Sequence, residues 1–157
     1  CLNDPVRLYD DGGSKPKSYD ETVDDPDDDC FLPGVINDTT SSQYNSWQEA
    51  EQGTRDAMGS VQPTKGRTFN TPYGKRIADS YNPSDDIIAE SKYGYQGRTK
   101  FIVSEIERDI WLRENHIVNS IEWHFYYSVH SNTVGPSGPL FLALDDADIT
   151  VIIHQGR

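Results

Sequence analysis

Apolar and polar positions follow two different periods along this chain, and the change of period marks where elements change. Ser120–Val129 alternates with period two, with Ile121, Trp123, Phe125, Tyr127 and Val129 on one face and Glu122, His124, Tyr126 and Ser128 on the other. That pattern predicts a strand. Arg98–Asn115 repeats Ile102, Ile106 and Ile110 at every fourth position, supplemented by Val103, Trp111 and Leu112, and predicts a helix with one apolar stripe. Upstream, Ser46-Trp47-Gln48-Glu49 makes a capping box. Trp47, Ala50, Thr54 and Ala57 then recur at helical spacing until Gly59, a helix of about three turns.

Two shorter runs, Lys75–Tyr81 and Ile87–Tyr93, flank the polar cluster Asn82-Pro83-Ser84-Asp85-Asp86. Asn-Pro followed by Ser and Asp reads as a turn, so the runs are expected to pair as an antiparallel hairpin. A short edge strand is expected around Arg67–Asn70, between Pro63 and Pro72. Gly135-Pro136-Ser137-Gly138-Pro139 opens a short helix running to Ala147, and Ile149–His154 is a final apolar strand. The order is helix, edge strand, hairpin, helix, strand, helix, strand. From Ile87 through the long helix to Val129 the chain has the length of a βαβ crossover, which makes the class α/β.

Charge divides the chain unevenly. Residues 1–60 carry 14 acidic and 4 basic side chains, whereas residues 61–157 carry 12 and 10. Residues 1–45, rich in Asp, Pro, Gly and Ser with Asp24-Asp25-Pro26-Asp27-Asp28-Asp29 at their centre, are expected to be an acidic, largely irregular leader. The packed domain is expected over 46–157. A net charge of −12 argues against a binder that holds nucleic acid by bulk charge, but leaves room for a local basic groove. No apolar run is long enough to span a membrane. Cys1 and Cys30 are too few to define a disulfide framework and receive no role.

Candidate chemistry sits on the hairpin. Ile88, Glu90 and Lys92 share one strand face, and Ile77, Asp79 and Tyr81 share one face of the partner run. If Asp79 leans toward Glu90, two carboxylates and an ammonium converge. Carboxylates that close repel unless a cation lies between them, and their hard oxygens suit Mg²⁺. The plain alternative is a solvated Glu90–Lys92 pair worth little to stability. His124 and His130 lack any partner at zinc spacing, and His124 is expected to be structural.

The spacing Asp79-x₁₀-Glu90-x-Lys92, with Gly94 closing the second strand, resembles the PD-(D/E)xK nucleases. Ala78 stands where that motif has proline. The run from Glu122-Trp123-His124-Phe125 through Gly135-Pro136-Ser137 to Ile149–Ile153 is similar to restriction-endonuclease-fold tips of bacterial polymorphic toxins, of the Rhs and contact-dependent-inhibition types.

The resemblance implies an αβββαβ core with a mixed sheet flanked by helices, followed by a C-terminal helix and strand. It implies an endonuclease that hydrolyses phosphodiester bonds, in DNA more readily than in structured RNA, with Mg²⁺ or alternatively Mn²⁺. Asp79 and Glu90 would hold the metal and Lys92 would position the attacking water. Glu51 or Glu49 is the candidate helix-borne acid, while Arg98, Lys100 and Arg108 are candidate phosphate contacts. Glu105 stands where such domains often carry Gln, and Arg108-Asp109 match their basic-acidic pair. Such a toxin would leave the producing bacterium, act in the target-cell cytoplasm and be neutralised by a cognate immunity protein. The chain's opening on Cys1 fits a piece of a longer protein. The competing expectation is a non-catalytic module of the same fold whose acidic surface meets a basic partner.

Overall fold

The computed structural model describes residues 35–38, 43–58 and 67–155. In chain order the elements are β1 (Val35–Asp38), α1 (Trp47–Ala57), β2 (Thr68–Thr71), β3 (Gly74–Ile77), β4 (Ser80–Asn82), β5 (Ile87–Tyr93), β6 (Tyr95–Gln96), α2 (Lys100–Glu114), β7 (Ser120–Tyr126), β8 (Gly135–Pro136), α3 (Gly138–Asp146) and β9 (Thr150–His154). The class is α/β, with a mixed five-stranded sheet in the order β1-β9-β7-β5-β4. The first four run parallel, and β4 closes the edge antiparallel to β5.

Parallel neighbours require long crossovers, and α2 and α3 supply them between β5 and β7 and between β7 and β9. Ser46, Thr99 and Ser137 cap the three helices, each side-chain oxygen accepting a backbone N–H three residues on. Pro139 fits the first turn of α3, where its missing N–H costs nothing. The helices cover both sheet faces. Trp123 of β7 donates its indole N–H to Asp109 of α2, whereas Tyr126, pointing the other way, bonds Thr54 of α1. A central strand covered on both sides needs little polar surface, and Trp123, His124, Phe125 and Tyr126 are all buried. The core gathers Ile88, Leu112, Ile121, Trp123, Phe125, Leu140, Leu144 and Val151.

Two expectations are corrected. The run Lys75–Tyr81 is not one strand: Gly74–Ile77 folds back on β2 as a separate ribbon, and only Ser80–Asn82 pairs with β5. The break falls at Ala78-Asp79, where the Ala78 N–H turns to Arg67 O at 3.0 Å. The face of the run turned inward is that of Arg76 and Ala78. Arg76 is 2% exposed and Ala78 is fully buried, while Ile77 is 60% exposed. Of the strands that precede α2, β4 and β5 therefore share the main sheet, while β2 and β3 pair apart from it. Finally, Val35–Asp38 lies in the stretch expected to be irregular but pairs in register with Val151–His154, so the packed unit reaches upstream of residue 46. The Asp24–Asp29 run and both cysteines lie outside the described residues. Among the described residues, no helix is long and apolar enough to cross a membrane.

Candidate active site

Glu90 and Lys92 stand on alternate positions of β5, so the pleat sends both toward α2. The Lys92 ammonium lies 2.9 Å from Glu90 Oε1 and 2.8 Å from Glu105 Oε1, and 5.1 Å above the Trp123 ring. Burial works against a charged amine, but Glu90 and then Glu105 raise the Lys92 pKa above its ordinary value. This lysine is a fixed cation.

Asp79 reaches the same place by a different route. The bend between β3 and β4 leaves it at the sheet edge, one step beyond the Ser80–Ala89 pair and hence beside Glu90. Its Oδ2 accepts the Ser91 N–H at 2.8 Å, and its own carbonyl accepts from Arg55 Nη1 at 3.4 Å. Burial, then Glu90, push its carboxyl from 3.8 up to about 8, against the pull of the Ser91 N–H and Lys92. Glu51 comes from α1 and lies against Asp79; its pKa too is raised, first by burial. Two neighbouring carboxyls repel each other when both are ionised, unless a cation separates them.

Glu90 behaves oppositely. Burial favours its neutral form, but Arg76 and then Lys92 outweigh it and hold the carboxyl below its ordinary range. Arg76 is the residue that sequence reasoning missed. Its Nε and Nη2 grip both Asp109 oxygens at 2.6 and 3.2 Å, and it also lies 3.0 Å from Glu90 Oε2 and 3.4 Å from Glu105 Oε2. Its guanidinium pKa is raised because Asp109, Glu90 and Glu105 more than offset burial. A basic residue flanked by Lys75 and Ile77 looks like ordinary strand decoration. The only sequence signal was that i, i+4 acids, Glu105 and Asp109, share the apolar stripe of α2 and so need a buried partner.

The remaining candidates divide. Glu49 is spent on the helix start, where Oε2 accepts the Asn45 N–H at 2.9 Å, while its own N–H donates to Ser46. Glu105 belongs to the cluster, with its carboxyl raised by burial and by Glu90. Arg108 donates to Tyr73 O at 3.1 Å and packs against Gly74, so it braces the β2–β3 ribbon. Arg98 and Lys100 are exposed on either side of the α2 cap. Gly94, at φ +80°, turns the chain out of β5 where a Cβ would crowd Ser128.

The donors Asp79, Glu90 and Glu51 suit a hard divalent cation in kind. Glu90 Oε2 is buried and, although 3.0 Å from Arg76 Nη2, takes no well-aligned hydrogen bond. Among the described residues, however, no three His, Cys, Asp or Glu side chains are already gathered as a cage. A cation would have to draw Glu51 and Asp79 in toward Glu90. No family model matches the chain, and neither a curated protein nor a solved structure matches it.

Proposed function

We propose that this chain is a metal-dependent phosphodiesterase that cuts DNA, or structured RNA, and acts as an interbacterial toxin domain. The observation that carries the reading is that Asp79, one register step beyond the Ser80–Ala89 pair, lies beside Glu90, which itself contacts the Lys92 ammonium at 2.9 Å. The neutral-shifted Asp79 and Glu51 leave the cluster short of one cation. Asp79 and Glu90, with Glu51 from the helix, would hold Mg²⁺, with Mn²⁺ as the substitute. When bound, such an ion supplies a Lewis acid and a water of lowered pKa.

The chain's own groups do the rest. Lys92 places a positive charge beside the reacting phosphate and orients the water, Glu105 steadies Lys92, and Arg76 keeps Glu90 ionised. Arg98 and Lys100, between β6 and the first turn of α2, follow the C-terminal end of β5, where substrates meet parallel sheets. They contribute the phosphate contacts, while Arg108 is held on Tyr73 of the β2–β3 turn. Antiparallel β4–β5 followed by the crossover through α2 supports a restriction-endonuclease-like arrangement. A cell that makes such an enzyme would carry an immunity protein against it, with a basic face to suit a chain of charge −12, and would export the toxin to act in the target cytoplasm.

One observation favours the second reading, a non-catalytic binding module. Arg76 and Lys92 already neutralise Glu90, so the cluster can stand as a closed ion network. The discriminating experiment incubates the purified chain with plasmid DNA and with total RNA in Mg²⁺, Mn²⁺ and EDTA. Cleavage that EDTA abolishes supports the enzyme; intact nucleic acid with every metal leaves the binding module.

A further inference from the structure

On the sheet face opposite Lys92, four titratable side chains from three strands form one unbroken chain of contacts. Glu122 Oε1 lies 2.9 Å from His124 Nε2 on β7, and His124 Nδ1 lies 2.8 Å from His154 Nε2 on β9. His154 Nδ1 then lies 2.9 Å from Asp38 Oδ2 on β1. The two imidazoles are nearly parallel, with centroids 5.1 Å apart, and His154 also stacks on Tyr126 at 4.2 Å. Both histidines are buried, while the end carboxylates are 27% and 29% exposed on their side chains and face water in part. The row stands across the sheet from the cluster around Glu90.

Proton counting constrains this chain. Each of the three contacts needs one hydrogen, and the carboxylates at its ends are acceptors when ionised. The four ring nitrogens must therefore carry three protons. Two neutral imidazoles carry two, which leaves a lone pair facing a lone pair or a carboxylate. Two imidazolium rings carry four, which sets N–H against N–H between His124 and His154. Only the singly protonated pair satisfies every contact.

We infer that Glu122, His124, His154 and Asp38 form a proton-loaded latch that holds β1 on the sheet through one shared imidazolium charge. Among the described residues, β1 is an edge strand of four residues whose ladder is made with β9 alone, and Asp38 is its last residue. A strand this short is held weakly by its ladder alone. Burial, and then His124, lower the His154 pKa against the pull of Asp38. The unfolded chain accordingly takes up a proton at His154 before the folded one does, so latch stability falls as pH falls through the ordinary histidine range. The other groups facing the pair are Tyr126 of β7, whose hydroxyl is held by Thr54 of α1, and Tyr44 ahead of α1. Asp85 of the β4–β5 turn lines the cavity of about 230 Å³ beside Glu122 and His124.

Two measurements test the latch. Nitrogen NMR of the imidazole rings near neutral pH should count three ring protons on His124 and His154, and a count of two overturns the proposal. Hydrogen exchange, corrected for its intrinsic rate, should show the segments 35–38 and 150–154 losing about tenfold or more protection between about pH 7 and pH 5. Protection in β5 and in the β7 core should hold over that range. His154→Gln should show low protection in β1 at both values. An Asp38→Asn chain, which keeps an acceptor but removes the pull that favours a proton on His154, should show less protection in β1 than wild type near about pH 5. A wild-type profile as flat as that of His154→Gln, or simultaneous loss across all strands, refutes the latch. Should His154→Gln fail to fold, the ring-proton count and its loss of order on acidification decide alone.

Discussion

Asp79 is expected to weaken the fold of this protein in the absence of a cation. Its carboxyl stands at 3.8 in an exposed chain and is lifted to about 8 here by burial and by Glu90. A group whose folded pKa exceeds its unfolded one favours folding below the unfolded value. That advantage is lost progressively as pH rises to the folded value. At neutral pH the displacement corresponds to a ceiling of about 4 kcal/mol, which relaxation and water entry reduce to on the order of 1–3 kcal/mol. Asp79→Asn keeps an oxygen for the Ser91 N–H and removes the acid. Denaturant unfolding at neutral pH without divalent ions should therefore show the variant more stable than wild type by on the order of 1–3 kcal/mol. The gap should shrink toward about pH 4, where the unfolded carboxyl also takes its proton. Millimolar Mg²⁺ should stabilise wild type and leave the variant unmoved, the signature of a site that trades stability for function. An Asp79→Asn chain less stable than wild type at neutral pH, with its Ser91 contact intact, would refute the electrostatic reading.

Arg76→Leu strips the charged partner from Asp109, leaving it the Trp123 indole N–H, and one partner each from Glu90 and Glu105, all buried; it should cost about 3–5 kcal/mol in denaturant unfolding, far more than an exposed charge would. Glu51→Gln should weaken Mn²⁺ binding about tenfold in a calorimetric titration while leaving folding intact. Glu49→Ala should instead cost about 0.5–1 kcal/mol through the helix start and leave metal affinity unchanged.

Legibility followed local physics. The periods of β7 and α2, the Ser46 cap and the turn at Asn82–Asp86 depend on near neighbours, and each appears where its residues indicate. The Glu90–Lys92 face was legible because a strand allows only two directions. Asp79 was expected beside Glu90 on a continuous strand, and it arrives there from a bend. The break at Ala78 is set by pairing with Arg67, a contact that no local period encodes. Arg76 was illegible for the same reason: its burial depends on where α2 lays Glu105 and Asp109. β1 was hidden by its acidic and proline-rich surroundings, since a four-residue strand is defined by its partner β9 more than by its own residues.

The central claim is that Lys92 acts on a phosphodiester beside a metal held by Asp79 and Glu90. Single-turnover cleavage of a labelled duplex, at saturating Mg²⁺, compares wild type with Lys92→Ala most directly. The alanine chain should fold and take up Mg²⁺, yet cut about two or more orders of magnitude more slowly, because one transition-state charge is gone. A folded Lys92→Ala protein that cuts at the wild-type rate would contradict the assignment.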